Sequence, residues 1–506
     1  MSFPWAPALL ALYYSVLVVL SFFGLHRLML VVIYLRTRGP RVPPPELPAD
    51  PLAWPVVTVQ LPLYNEMYVA ERLIDAVCRL DYPAGRLEIQ VLDDSTDETR
   101  EIVARAVAEY RAKGVDIHHL HRLDRTGYKA GALEAGLAQA RGELLAIFDA
   151  DFVPTPDFLR RSVPHLQADP GLGLVQGRWD HINRSYSLLT RVEAILLDGH
   201  FMIEHSARNR SGRFFNFNGT AGIWRREAIA AAGGWQHDTL TEDLDLSFRA
   251  QLAGWRFLYL PGLKVPSELP VDVNGFKSQQ YRWAKGAVQT GRKLLGRVWR
   301  APIPLKVKFE ALVHLTNNAS YPLMVLLSLL IFPAMMLRRG SPVALLFLVD
   351  LPLFLSATVA VLTFYLMSQV AGNDDWRHEL RYLPALMSVG IGLSVNNARA
   401  VISGLFQQGG TFIRTPKYRI EKAGESWSSK RYRAGTDPTR VIEGLLALYF
   451  LGVTIYAAVV GMWMSLPFLL LFVQGYGYMA VLSYLPSWRD WWERGKAREA
   501  AAKAGG

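Results

Sequence analysis

Long apolar runs flank one long stretch of mixed polarity, and that alternation divides the chain before any motif is considered. Residues 1–25 carry no charge, and Ala8 to Tyr34 is apolar apart from His26 and Arg27, with Arg36, Arg38 and Arg41 following. Such a run is long enough to cross a hydrocarbon core of about 30 Å, and the basic cluster places its C-terminal end in the cytoplasm. A cleaved signal peptide does not fit, because the basic residues lie on the wrong side of the apolar run. The Pro-rich segment 40–51 reads as a stiff linker. From Val56 to about Leu260, β-rich runs at 56–64, 87–94 and 144–151 alternate with helical stretches at 68–80 and 97–113, which predicts a mostly parallel sheet covered by helices. Ligands of such sheets bind beyond the carboxyl ends of the strands.

After residue 300 apolar runs return at 311–337, 343–371 and 383–405, and Gly444 to Leu485 is uncharged, enough for two spans with a break at Ser465 and Pro467. Residues 406–440 carry eight basic and three acidic side chains. Reading 383–405 as an interfacial helix keeps this loop and the tail residues Arg489, Arg494, Lys496, Arg498 and Lys503 cytoplasmic; Arg338 and Arg339 are the small violation. The expected organisation is a membrane helix at 1–36, the linker at 37–53, a cytoplasmic α/β domain with interfacial helices at 54–300, a region of about four spans at 301–485, and a basic tail at 486–506. Counting 383–405 as a span raises the total from five to six.

Composition refines this division. The apolar fraction of 51% suits a hybrid of soluble and membrane parts. Lys and Arg outnumber Asp and Glu by 55 to 44, and the excess collects beside apolar runs, favouring a bilayer surface over nucleic acid. The lone Cys78 excludes an internal disulfide framework and a cysteine zinc site, and is expected to be a buried apolar residue. His314, Asn317, Asn318, Asp350, Asn396 and Asn397 interrupt apolar runs, where helix-to-helix hydrogen bonds and a polar channel explain them equally well.

Three acidic clusters punctuate the α/β stretch. In FDAD (148–151), Asp149 and Asp151 sit at i and i+2 past a strand, where both can approach one Mg2+ or Mn2+; an isolated Asp-x-Asp is more often a solvated turn. In VLDDSTDET (91–99), Ser95 to Asp97 suit a helix cap, whereas Asp93 and Asp94 at the strand's mouth can accept from a nucleobase N–H or ribose hydroxyls. LPLYNE (61–66) ends another strand and places Tyr64 against a base, and HRLDRTGYKAGAL (121–133) sets Lys129 beside two glycines, a setting for a diphosphate. In TLTEDLDLSFRA (239–250), Glu242 and Asp243 open a helical run; one complements the helix N-terminus, or Asp243 takes the proton of an attacking hydroxyl. In SQQYRWAKG (278–286), Gln279, Arg282 and Trp283 share one helical turn, as a buried Trp beside a partnered Arg or as a sugar platform with a cation for a departing diphosphate.

Taken in chain order, Asp93–Asp94, the D-x-D of Asp149–Asp151, the TED of Thr241–Asp243 and the Q-x-x-R-W of Gln279–Trp283 resemble the processive family 2 glycosyltransferases: cellulose, hyaluronan and chitin synthases, and most closely the cellulose synthase-like mannan and glucan synthases. The resemblance runs from about residue 54 to 300 and takes in QGRW (176–179) and FNFNGTAGIWRREAI (215–229), which are similar to acceptor-lining segments of that branch. It implies a GT-A α/β domain with a mixed, mostly parallel sheet inserted between transmembrane helices. It also implies Asp243 as base with Glu242 beside it, and Mg2+ or Mn2+ on Asp149 and Asp151. The nucleotide sugar would meet Leu63, Tyr64, Glu66, Asp93, Asp94, Lys129, Asp149 and Arg282; the acceptor would meet Gln176, Arg178, Trp179, Gly219, Thr220, Gln279, Arg282 and Trp283.

The implied activity is inverting synthesis of a β-linked glucan, mannan or glucomannan from UDP-glucose or GDP-mannose, coupled to export across a bacterial inner or cell membrane. Glycolipid glycosyltransferases acting on ceramide or diacylglycerol share much of the acidic pattern, and an inactive scaffold or transport subunit would keep the fold. TFIRTPKY (411–418) occupies the place of the cellulose synthase gating loop with a different sequence, and no cyclic-dinucleotide-binding module is expected.

Overall fold

The computed structural model describes residues 4–39, 45–46, 48–338, 349, 351–422, 424–427, 430–435 and 437–504. Residues 40–44 and 47 of the linker, Arg339, residues 343–348 and Asp350 of the apolar run expected at 343–371, and the side chains of the basic tail therefore lie outside the described residues.

Seven strands build one mixed sheet in the order β3-β2-β1-β4-β6-β5-β7. β1 (Val57–Leu63), β2 (Leu87–Asp93), β3 (Ile117–His121) and β4 (Leu144–Ile147) pair in parallel. β4 (LLAI) is apolar and buried throughout, as a strand covered on both faces should be, whereas β1 and β2 alternate apolar residues with the buried polar residues Thr58, Gln60, Glu88 and Gln90, which pair across the strands as Thr58–Glu88 and Gln60–Gln90. Helices Ala70–Val77 and Thr99–Ala112 make the first two crossovers, close to the predicted 68–80 and 97–113. The short strand β6 (Gly222–Arg225) runs antiparallel to β4 and to β5 (Leu172–His181), while β7 (Arg256–Ser267) lies parallel to β5. Leu63 is level with Asp93, and Asp93 with His121, so the carboxyl ends of β1, β2 and β3 open on one side. Cys78 is half-buried against the core on one sheet face rather than enclosed by it.

Among the described residues, five helices are long and apolar enough to cross a membrane: Ala6–Thr37, Leu305–Leu337, Leu355–Gly372, Arg440–Val459 and Trp463–Leu485. The stretch expected to be one interfacial helix at 383–405 is instead a pair, Trp376–Gly392 and Ser394–Phe406, bent by 41°. Its second member packs on the long helix Val273–Arg300 of the α/β domain. There Asn396 Nδ2 donates to the Lys277 carbonyl (2.9 Å) and to Asn397 Oδ1 (2.9 Å), so this polar pair stitches helices together. The break between the last two spans falls at Gly461 (φ +78°), ahead of the expected Ser465 and Pro467. Pro467 sits in the first turn of the next helix, where a missing N–H leaves no hydrogen bond unmade.

Candidate active site

The ends of β1 and β2 are tied together by their loops. Asn65 adopts a left-handed backbone (φ +53°); its N–H donates to Ser95 Oγ (2.8 Å) and its Oδ1 accepts from Thr96 N–H (2.9 Å). Ser95 thus braces the neighbouring loop instead of capping a helix, while Asp97 accepts from Thr99 N–H (3.0 Å). This arrangement sets Leu63, Tyr64 and Glu66 on the wall of a cleft.

The first acidic pair is fully engaged by the protein. Asp93 is buried and does not reach the cleft wall; Oδ1 accepts from Ser95 N–H (2.9 Å) and Oδ2 meets His119 Nε2 (2.8 Å). Although burial opposes it, these hydrogen bonds hold Asp93 below its ordinary carboxylate range. Asp94 does line the cleft, but Arg122 grips both of its oxygens, at 2.8 and 2.6 Å. Of the two carboxylates expected to meet a nucleotide, Asp94 is therefore on the cleft with an arginine across it, and Asp93 is behind the wall. Asp93, His119 and His121 form the one group of three metal-capable side chains found among the described residues.

Lys129 stands at the centre of the cleft. Its ammonium donates to Asp149 Oδ1 and to the Gly219 carbonyl (2.9 Å), and the Asp149 N–H donates to Thr220 Oγ1 (2.9 Å). Burial pushes the Asp149 carboxyl up and the Lys129 ammonium opposes that push. Asp151 Oδ2 meets Lys417 Nζ at 2.8 Å. Each carboxylate of the D-x-D thus already faces a cation, and paired hard oxygen donors suit Mg2+ or Mn2+.

Glu242 and Asp243 open the helix Glu242–Leu252 on the same cleft. Asp243 Oδ1 accepts from Leu244 N–H (2.8 Å), and a Cβ at Gly219 (φ +79°) would stand 3.1 Å from Asp243 Oδ2 and 3.3 Å from Lys129 Nζ. Only glycine tolerates both that backbone and that proximity. Among the described residues no basic side chain forms an ion pair with either carboxylate. Burial pushes Asp243 up to about 7, with the neighbouring Glu242 charge adding and Lys129 opposing. The helix Val273–Arg300 supports this corner: Gln289 Oε1 accepts from Leu240 N–H (3.0 Å), and a Cβ at Gly286 would come within 2.5 Å of Thr241 Cγ2.

That helix also brings Gln279, Arg282 and Trp283 to the cleft, where Trp283 faces Trp179 with ring centroids 6.4 Å apart. Burial lowers Arg282 to about 10 against the pull of Glu242 and Asp149. Segment 411–418 supplies Phe412, Arg414, Thr415 and Lys417 to the cleft wall. Its Phe412 ring stands 4.4 Å beneath the Arg282 guanidinium, Thr415 Oγ1 accepts from Arg282 (2.9 Å), and Arg414 pairs with Glu66 (2.8 Å).

Three expected acceptor residues do not reach the wall. Gln176 is buried and braces the turn before β6, donating to the carbonyls of Thr220 and Ala221 (each 3.1 Å) and accepting from Asn218 N–H (3.3 Å). Arg178 is buried with Nη1 against Met202 Sδ (2.8 Å), and Thr220 spends its hydroxyl on Asp149. Conversely, Arg125 stacks 3.3 Å from the Tyr64 ring centroid, and Asn218, Glu268, Arg414, Thr415 and Lys417 line the cleft without having been singled out.

Several known proteins are similar to this chain. The family described as Glycosyltransferase like family 2 matches residues 55–286. Glucomannan 4-beta-mannosyltransferase 7 from Arabidopsis thaliana is 34% identical over 466 residues, 86% of this chain and 78% of the relative. Glucomannan 4-beta-mannosyltransferase 2 from the same plant is 47% identical, over 52% of this chain and 49% of the relative, so that match spans about half of each protein. Among solved structures, the mannosyltransferase PcManGT from Pyrobaculum calidifontis in complex with GDP-Man and Mn2+ aligns over 78% of this chain and 99% of that one, at 22% identity and a TM-score of 0.47. With its GT-A-like sheet and a relative matched along most of both lengths, the chain belongs to the family 2 glycosyltransferases as a cellulose synthase-like hexosyltransferase.

Proposed function

We propose that the protein elongates a β-1,4-linked mannan or glucomannan by transferring mannosyl units from GDP-mannose with inversion. The observation that carries the reading is the placement of Asp243, a half-buried carboxyl with no ion-pair partner among the described residues, on the same cleft as Lys129, Asp149 and the Gln279–Trp283 turn. An incoming sugar hydroxyl gives its proton to Asp243 as its oxygen bonds to the anomeric carbon, while the bond from that carbon to the diphosphate breaks on the opposite face. Lys129 and Arg282 offset the charge of the departing diphosphate, and Trp179 with Trp283 offers apolar surface to the acceptor ring. Asp149 and Asp151 would hold Mg2+ or Mn2+, which supplies charge neutralisation at the diphosphate.

The mannosyl donor is favoured over glucose by the names of the two plant relatives. They give no support for a bacterial location, but the five apolar helices support a multi-pass protein with the α/β domain on the cytoplasmic side and the polymer handed to the membrane region. The test is release of GDP from GDP-mannose by the purified protein with Mn2+ or Mg2+, followed by sizing of the product. A β-mannanase-sensitive polymer is expected. A single mannosyl group on a lipid would replace the polymer reading by glycolipid synthesis, and no nucleotide released from any hexose donor would end both.

A further inference from the structure

The edge strand of the sheet carries three histidines, and only two of them face the same way. Along β3, side chains alternate between faces, so His119 and His121 project together and His118 projects oppositely. His118 pairs with Asp116 (2.8 Å) on the exposed side. The parallel register sets His119 level with Val91 and His121 level with Asp93, which places both imidazoles on the face that carries the Asp93 carboxylate. His119 Nε2 is 2.8 Å from Asp93 Oδ2, His121 Nδ1 is 3.7 Å from the same oxygen, and the three donor atoms all lie within 4.8 Å of one another.

We propose that Asp93, His119 and His121 form a binding site for a borderline divalent ion of the Zn2+, Co2+ or Ni2+ class, separate from the hard-cation site at Asp149 and Asp151. Two imidazoles and one carboxylate are the donor set such ions favour, and Mg2+ or Mn2+ is disfavoured where nitrogen outnumbers oxygen. Tetrahedral coordination with bonds of about 2.0–2.1 Å spaces its ligand atoms by roughly 3.3 Å, a figure that lies between the two measured separations. His121 Nδ1 is buried and has no hydrogen-bond partner, so an ion there would satisfy a nitrogen that the protein leaves unpaired. The carboxylate is oriented from behind by Ser95 N–H on Oδ1, as an outer partner orients a ligand oxygen. Asp93 also accepts the Arg122 N–H on its carbonyl (3.0 Å), and Arg122 clamps Asp94 on the cleft wall. An ion bound by these three side chains would tie β2 to β3 next to the nucleotide end of the cleft.

The experiment titrates the full-length purified protein with Co2+ and reads the visible absorption, which distinguishes a four- or five-coordinate nitrogen-containing site from the weakly absorbing six-coordinate oxygen site. One equivalent with intense bands is expected. These bands should survive in Asp149→Asn/Asp151→Asn and in His118→Gln, resist competition by excess Mg2+, and disappear when Zn2+ is added. In His119→Gln and His121→Gln the affinity should fall by at least the roughly 100-fold that loss of an outer partner alone can cost. Melting curves of the metal-free variants check that they are folded; if His119→Gln is not, His121→Gln decides, because that nitrogen makes no hydrogen bond to lose. Absence of intense bands in the wild-type protein, or bands that vanish with Asp149 and Asp151 but persist without the histidines, would overturn the proposal.

Discussion

Two pairs of adjacent carboxylates, Asp93–Asp94 at the end of β2 and Glu242–Asp243 at the start of a helix, look alike along the chain and are unlike in space. The first is held by protein partners on every oxygen: Ser95 and His119 engage Asp93, and Arg122 holds both oxygens of Asp94. The second has backbone support but no cation in ion-pair contact among the described residues, and burial with mutual repulsion raises Asp243. Asp93, held by these hydrogen bonds, keeps a low proton affinity and organises the loops around it, whereas the under-partnered Asp243 is poised to take a proton. The comparison therefore separates scaffolding acids from a reactive one on physical grounds.

The largest effect should come from Asp243→Asn. Loss of general-base catalysis lowers turnover by about 10³-fold or more, while binding of the nucleotide sugar, measured by calorimetry, stays close to wild type; a large loss of binding would reassign the residue to the donor. Next is Gly286→Ala, whose new methyl would press on Thr241 and displace the adjoining acids. A shift near 1 Å at a reacting group can cost about 10²-fold, so kcat should fall by that order with the fold intact by circular dichroism.

Arg122→Met would free Asp94 from its clamp. A hydrogen bond to a charged group is worth about 1.5–3 kcal/mol, so the donor KM should rise by about tenfold or more with a smaller change in kcat. If kcat collapsed and KM did not move, the first pair would belong with the reactive acids. The smallest effect is pH. A base must be deprotonated to act, so kcat/KM should rise with pH through about 7 and fall by about tenfold between pH 8 and pH 6, a dependence that the residual activity of Asp243→Asn should lack.

Much of the cleft was legible because its pieces are short and local. Two of the three acidic clusters followed an apolar strand, and the carboxyl end of a parallel strand is where such a sheet keeps its ligands; the third announced itself as the start of a helix. Gln279, Arg282 and Trp283 were foreseeable as a unit because i, i+3 and i+4 share one helix face. Gln176, Arg178 and Thr220 lie near the site in sequence and space but off its wall, because the carbonyls of Thr220 and Ala221 accept from Gln176, Met202 meets Arg178, and the Asp149 N–H donates to Thr220. Arg125 left no periodic signal, since its position over Tyr64 depends on how two loops meet.

By itself the sequence determined which segments are apolar enough for the bilayer, which form strands of a buried sheet, and which residue types stand at the strand ends. These follow from local periodicity and composition, which need no partner. Only the tertiary structure decided how charge is distributed among those residues. Lys417 reaches Asp151, and Arg414 reaches Glu66, across more than half of the chain; Arg122 neutralises Asp94; and among the described residues no basic side chain forms an ion pair with Asp243. Whether a carboxylate organises the cleft or is free to accept a proton depends on distances of a few ångströms between residues remote in sequence, and chain folding sets those distances.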